Sequence, residues 1–172
     1  MDCKKLFCLI IGVILFGAAG SAWSSIVIPM YLVNHNGHGQ KIGTMTLDDT
    51  LYGLMITPHL KNLEPGMHGL HVHENALCSN YGMAAGGHLD LERNKQHKGP
   101  FSGAGHLGDL PALFVDDEGR ASMPVLAPRL KLVDVERRSL MIHQGGDNYS
   151  DLPEKLGGGG TRIACGLIGT PH

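Results

Sequence analysis

His68, His71 and His73 crowd into the stretch HGLHVHE (68 to 74). On a β-strand, residues i and i+2 face the same side, about 6 to 7 Å apart, so His71 and His73 can address one ion. On a helix the two rings would diverge. A second group follows in GGHLDLERNKQHKGPFSGAGHLGDLP (86 to 111), with His88, His97 and His106 at intervals of nine and Asp109 three residues further on. Three imidazoles and a carboxylate make a complete tetrahedral donor set for zinc. A spacing of nine faces inward on neither a helix nor a strand, so it belongs to a loop that wraps an ion. A solvated histidine-rich loop is the plainer alternative.

His143 closes the apolar run SLMI and could join His71 and His73 on a second ion. His88 would be the fourth donor there if its ring lay between the two metals and had lost both ring protons, a loss that two bound cations favour. An all-imidazole site of this kind suits copper, which cycles between Cu(II) and Cu(I). Zinc beside it is redox-silent and would hold geometry and charge.

Such a constellation needs a rigid frame. The apolar runs 26–33, 41–47, 51–58, 67–73, 112–116, 121–126, 139–143 and 162–168 are short and broken by Gly, Pro and Asp, which predicts eight strands. DDEG (116–119) reads as a hairpin turn between two of them. The expected architecture is all-β, an eight-stranded Greek-key flattened barrel or sandwich, immunoglobulin-like in style, with a helical turn or two near 133–137. Two connections, 74–110 and 144–161, exceed ordinary hairpin loops and carry most of the histidine and glycine, which marks them as functional.

The first residues, MDCKKLFCLIIGVILFGAAGSAWSS, read as an export signal: Lys4 and Lys5, an apolar run from Leu6 to Ala19, then small residues at 20–22. The run is short for a membrane span, although a retained anchor is the alternative. Residues 1–22 are therefore expected to be cleaved, leaving 23–172 as a single domain. Loss of their net +1 takes the formal charge from -2 to -3, and no basic patch of the kind nucleic acid requires is present. Cys78 and Cys165 remain after cleavage. In an oxidising compartment they form one disulfide; two buried free thiols are the alternative.

Taken together, GLHVHE, AAGGHLD, GAGHLGDLPAL, APRLK, LMIHQGGDNYSD and LGGGGTRIACGLIG closely resemble the copper/zinc superoxide dismutases, in particular their periplasmic bacterial branch. The resemblance implies one copper on His71, His73, His88 and His143, and one zinc on His88, His97, His106 and Asp109. It makes Asp147 a carboxylate that accepts from a histidine of each site, and His68 a packed histidine behind them. It matches Cys78 and Cys165 to the disulfide that ties the first long loop to the barrel. It gives Arg162 the task of attracting and orienting a small anion beside an open copper position, and His88 a part in proton delivery. Superoxide is the implied substrate and the periplasm the implied location, with monomer and homodimer both open.

Two other classes compete with this reading. A non-catalytic module of the same fold, such as a copper chaperone or zinc-only relative, would usually lack a copper donor or the arginine. A binuclear zinc hydrolase would want an Asp after HVH and α/β segments. The chain also departs from the periplasmic pattern. Its segment CSNYGMAAGG (78–87) is short and carries no lysine, and Glu154 stands beside Lys155, so long-range steering of the substrate is expected to be weak. His35 and His38 in VNHNGHGQ are read as turn residues, with accessory metal uptake as the alternative.

Overall fold

The computed structural model describes residues 25–169, so the expected signal segment 1–22 lies outside the described residues. The core arises from strand alternation. In β1 (Ser25–Leu32) and β2 (Lys41–Thr50), the residues Ile28, Met30, Ile42, Met45 and Leu47 face inward and are buried. β3 (Gly53–Leu60) adds Leu54, Ile56 and Leu60. β4 (Gly66–His68), β5 (Leu70–His73), β6 (Leu113–Val115), β7 (Val125–Ala127), β8 (Ser139–His143) and β9 (Arg162–Leu167) complete the strands. Seven of them form one antiparallel sheet in the order β5-β8-β9-β1-β2-β3-β7, and β4 pairs with β6 in a second, two-stranded sheet. The all-β sandwich expectation is met, with one α-helical turn, α1 (Leu132–Val135), and two short 3-10 turns, Met83–Ala85 and Lys155–Gly158, among the described residues.

The strand count differs from the expected eight because the run 67–73 divides at Gly69. β4 pairs with β6, whereas β5 pairs with β8. Gly69 is the corner between them: its N–H donates to Gly145 O at 2.7 Å, and its carbonyl accepts from His143 N at 2.8 Å. Strand boundaries also move. Leu51 and Tyr52 are not strand but the two-residue turn closed by the pair Thr50 and Gly53. The expected strand 121–126 forms only from Val125, since Pro124 has no N–H to give a ladder; Ala121 instead bridges Leu60. The DDEG turn forms, with Gly119 N donating to Asp116 O at 2.9 Å, but the strands beside it pair elsewhere.

β5 and β8 matter most for the site. Every residue of both is buried. Leu70 and Val72 enter the core, which leaves His71 and His73 on the opposite face. The free edge of β5 is covered by the first long loop, whose two ends dock on it. Val72 N donates to Gly108 O (2.9 Å), and Leu89 N donates to Val72 O (2.8 Å). That docking sets His88 opposite His73 and Asp109 opposite His71.

Candidate metal centre

Strand geometry supplies His71 and His73, the docked loop supplies His88 and Asp109, and β8 delivers His143 from the other side. A register slip between Ile142 and His143 puts His143 directly across from Arg162, where regular pairing would have matched it to Ile163. Bulges of this kind re-aim side chains near active sites. Donor atoms of His71, His73, His88 and His143 lie within 4.8 Å of one another, and all four residues are buried.

Hydrogen bonds fix which nitrogen of each ring is free. His73 Nδ1 donates to Gly86 O (3.0 Å) and His143 Nδ1 to Gly160 O (3.2 Å). Their Nε2 atoms are thereby left as lone-pair donors, 3.4 Å apart. His71 Nε2 donates to Asp147 Oδ2 (2.8 Å), leaving Nδ1 buried without a partner. His88 Nε2 is likewise buried and without a partner. Buried polar atoms in native proteins are nearly always satisfied. Orphaned lone pairs that converge on one point therefore call for a cation.

On the other side of His88, three ring nitrogens surround a single oxygen. Asp109 Oδ1 is 3.0 Å from His88 Nδ1, 2.9 Å from His97 Nδ1 and 3.3 Å from His106 Nδ1. The His97 contact is close, yet poorly aligned for a hydrogen bond, and that nitrogen too is orphaned. Ligands bound to zinc at about 2.0 Å sit about 3.3 Å apart at tetrahedral corners, so these separations fit a zinc donor set. In the tightest grouping on this side His71 takes the place of His106, joining His88, His97 and Asp109 within 4.8 Å. The cause is the stacking of the His71 ring on His88, with centroids 3.9 Å apart. His106 stands further out and reaches the group through Asp109.

Asp147 ties the two halves together, accepting from His71 Nε2 with one oxygen and from His97 Nε2 (2.7 Å) with the other. His68 is buried behind the site, with Nδ1 2.7 Å from His143 O and Nε2 2.8 Å from Glu64 O, and so braces the strand that carries His143. Cys78 and Cys165 are joined. Arg162 makes no ion pair among the described residues. Its Nη1 and Nη2 donate to Gly82 O (2.6 Å) and Gly86 O (2.7 Å), both in the segment that the disulfide anchors. It lines an open cleft with His143, Tyr81, Met83 and Lys155.

The charge states follow from burial and neighbours. Burial pushes His71 and His143 down to about 4 and His88 to about 3, and it lowers His73 further still. These four imidazoles are thus neutral and ready to bind metal at physiological pH. For His97 burial also acts downward, but the adjacent Asp109 carboxylate, 2.9 Å from Nδ1, and the hydrogen bond from Nε2 to Asp147 outweigh it and raise the group to about 9. Both carboxyls lie well below the usual carboxylate range despite burial, because the surrounding histidines donate to them.

Three contributors lie in the motifs that carry the resemblance, APRLK, DNYSD and LGGGG, but residue type and spacing alone gave them no role. Arg129 donates to Gly105 O and His106 O, pinning the turn before His106. Asp151 accepts from His97 N at 2.9 Å. Gly157 packs against Asp147 where no side chain would fit. His35 and His38 lie by Tyr81 and Tyr31 and belong to neither donor cluster.

Comparison with known proteins agrees with this geometry. The family profile described as "Copper/zinc superoxide dismutase" matches residues 41–168. "Superoxide dismutase [Cu-Zn] 2" of Salmonella typhimurium is 52% identical over 165 residues, covering 91% of this chain and 95% of that one. The solved Cu/Zn superoxide dismutase from Brucella abortus superposes with a TM-score of 0.80 at 45% identity, over 84% of this chain and 99% of that chain. The solution structure of the monomeric copper, zinc superoxide dismutase from Salmonella enterica gives 0.75 at 52% identity, over the same 84% and 99%. With the donor clusters and the whole-domain match in agreement, the chain belongs to the bacterial copper/zinc superoxide dismutases, oxidoreductases that dismutate superoxide with one copper and one zinc.

Proposed function

We propose that His71, His73, His88 and His143 hold the copper, that His88, His97, His106 and Asp109 hold the zinc, and that Arg162 guides superoxide to the copper side. The observation that carries this reading is His88: one ring nitrogen sits in the Asp109 cluster while the other is orphaned in the all-imidazole cluster. When bound, copper supplies the one-electron cycling that turns two superoxide anions and two protons into dioxygen and hydrogen peroxide, and zinc supplies fixed charge.

The chain does the rest. Arg162 spends two N–H groups on carbonyls and keeps the others for the cleft, where a small anion can be held by charge and paired hydrogen bonds. His88 Nε2, shielded from water and free of protein partners, is the atom placed to hold a proton and pass it to the reduced substrate. Asp147 locks the His71 and His97 tautomers. Asp109 keeps the other face of His88 engaged while Nε2 works. Met83, Tyr81 and Leu156 narrow the cleft around His143, which suits a diatomic anion better than an organic substrate.

Further parts belong to the same proposal. Residues 1–22 are removed on export, 23–172 form the mature domain, and the protein works in the periplasm; the disulfide supports an oxidising compartment. Sequencing the amino terminus of protein recovered from a cell-envelope fraction tests this, and an intact Met1 there would reject it. Monomer and homodimer remain alternatives: exposed Met67 and Phe114 on the two-stranded sheet offer a face for a second copy, and the mass in sedimentation at high concentration decides between them.

The central test is metal analysis with activity. The protein should bind one copper and one zinc. Arg162→Ala should keep both while losing at least about tenfold in kcat/KM, in line with the roughly 1.5–3 kcal/mol of a charge-assisted hydrogen bond. Zinc-only content with no dismutase activity after copper loading would reject the assignment.

A further inference from the structure

Met83 is 60% exposed and lines the cleft, on a segment whose backbone is held from several sides. Three consecutive residues before it, Asn80, Tyr81 and Gly82, have φ of 53°, 54° and 79°, in the left-handed region that side-chain-bearing residues avoid. The conformation is held from several sides. Asn80 N and Tyr81 N donate to His35 O (2.7 Å) and Asn34 O (2.9 Å), and Gly82 N donates to Cys78 O (3.0 Å). The Arg162 guanidinium then takes the carbonyls of Gly82 and Gly86, which flank the short 3-10 turn Met83–Ala85. A loop bound this firmly, with this backbone, places Met83 in the wall of a cleft that it shares with His143 and Arg162.

Core packing does not explain that placement, because the side chain lies largely in solvent. Anion guidance does not explain it either, since a thioether carries no charge and no N–H. Its distinctive chemistry is softness: thioether sulfur binds Cu(I) well, and hard or borderline cations poorly. His143 shares the walls of that cleft, and its free Nε2 lies 3.4 Å from the free Nε2 of His73; both rings are neutral and buried. A cation reaching them through this cleft must shed water before all four imidazoles can close on it. A soft ligand at the rim would hold Cu(I) during that exchange.

We propose that Met83 is an entry ligand for Cu(I), catching the ion at the cleft mouth and passing it to His143 and His73. This rests on the copper assignment above. No change of oxidation state is involved, as the ion exchanges only its ligands.

The test uses the zinc-loaded, copper-free protein with its disulfide intact, under anaerobic conditions, with Cu(I) presented as its coloured bicinchoninate complex. Loss of colour gives the transfer rate. Met83→Leu, which keeps bulk and removes sulfur, should slow transfer about tenfold, equivalent to ~1.4 kcal/mol at the entry step. Its rate of Cu(II) uptake, final copper content and Cu(II) electron paramagnetic resonance spectrum should match wild type. Met123→Leu, in an exposed groove lined by other residues, should transfer Cu(I) at the wild-type rate. Equal Cu(I) rates for Met83→Leu and wild type would overturn the entry-ligand role alone, as would equal slowing of Cu(I) and Cu(II), which would make the side chain merely a door. A wild-type protein that binds no copper at all would overturn the copper assignment, and this proposal with it.

Discussion

Asp147 joins the two donor clusters, and its position depends on a residue that has no side chain. A Cβ at Gly157 would fall 1.9 Å from Asp147 Oδ1 and 2.8 Å from His97 Nε2, and the backbone there has φ +72°. Gly157→Ala should therefore push the carboxylate off His97 and weaken zinc by about 10–100-fold, the usual cost of losing such a partner; zinc competition with a chelator measures it, and unchanged affinity would refute it. The imidazoles themselves set the acid response of the metal-free protein. His71, His88 and His143 titrate near 4, 3 and 4 in the folded chain, with His73 lower, against about 6.5 unfolded. Below that value the unfolded chain binds protons that the folded chain refuses, so stability falls as pH drops toward about 4. His97 runs the other way, since the fold holds its proton up to about 9. Its contribution is complete below about 6.5 and disappears as pH rises through about 9. Urea midpoints of the metal-free protein should peak near neutrality and fall more steeply on the acid side, where four groups act rather than one. A flat acid limb would contradict the burial of neutral rings.

Among the elements, β5 carries His71 and His73 and its docked loop carries the donors around Asp109, while the disulfide fastens the segment that carries Gly82 and Gly86. The cross-link closes an 87-residue separation, which on the chain-entropy model contributes about 4.5 kcal/mol. Replacing Cys78 and Cys165 with Ser should lower unfolding free energy by about that amount. It should also reduce kcat/KM, because the Arg162 guanidinium is held by carbonyls of the same segment; stability and kinetics measured on one preparation separate the two effects. Much of this was legible in the chain. HVH on a strand, the nine-residue spacing of His88, His97 and His106, and the apolar SLMI before His143 all carry local signals that the fold obeys. What was not legible depends on distant partners. The split at Gly69 follows from which strand each half pairs with. The slip that aligns His143 with Arg162 exists only in the β8–β9 ladder. Arg129 and Asp151 reach backbone atoms 24 and 54 residues away, a relation that no local periodicity records.

At the scale of the whole molecule, the chain opposes its own substrate. The formal charge of the chain is -2, so the distant field repels an anion and attraction must be local. Lys155 and Arg162 line the cleft, whereas Glu154 is absent from its walls. The adjacent acid therefore cancels less of the positive field at the opening than the sequence suggests. Arg162 is half-buried, and burial lowers its pKa, but an arginine stays charged at physiological pH. Lys155 is exposed, and its field is screened within about 10 Å at 0.1 M salt. The two cations should therefore separate experimentally. Raising ionic strength from low to physiological should lower wild-type kcat/KM by a small factor, and Lys155→Ala should lose most of that dependence while keeping its high-salt rate. Arg162→Ala should instead be slow at every salt concentration, because its contact with the anion is direct and little screened. Stopped-flow decay of superoxide across a salt series measures all three proteins, and a wild-type rate that does not change with salt would assign capture to Arg162 alone.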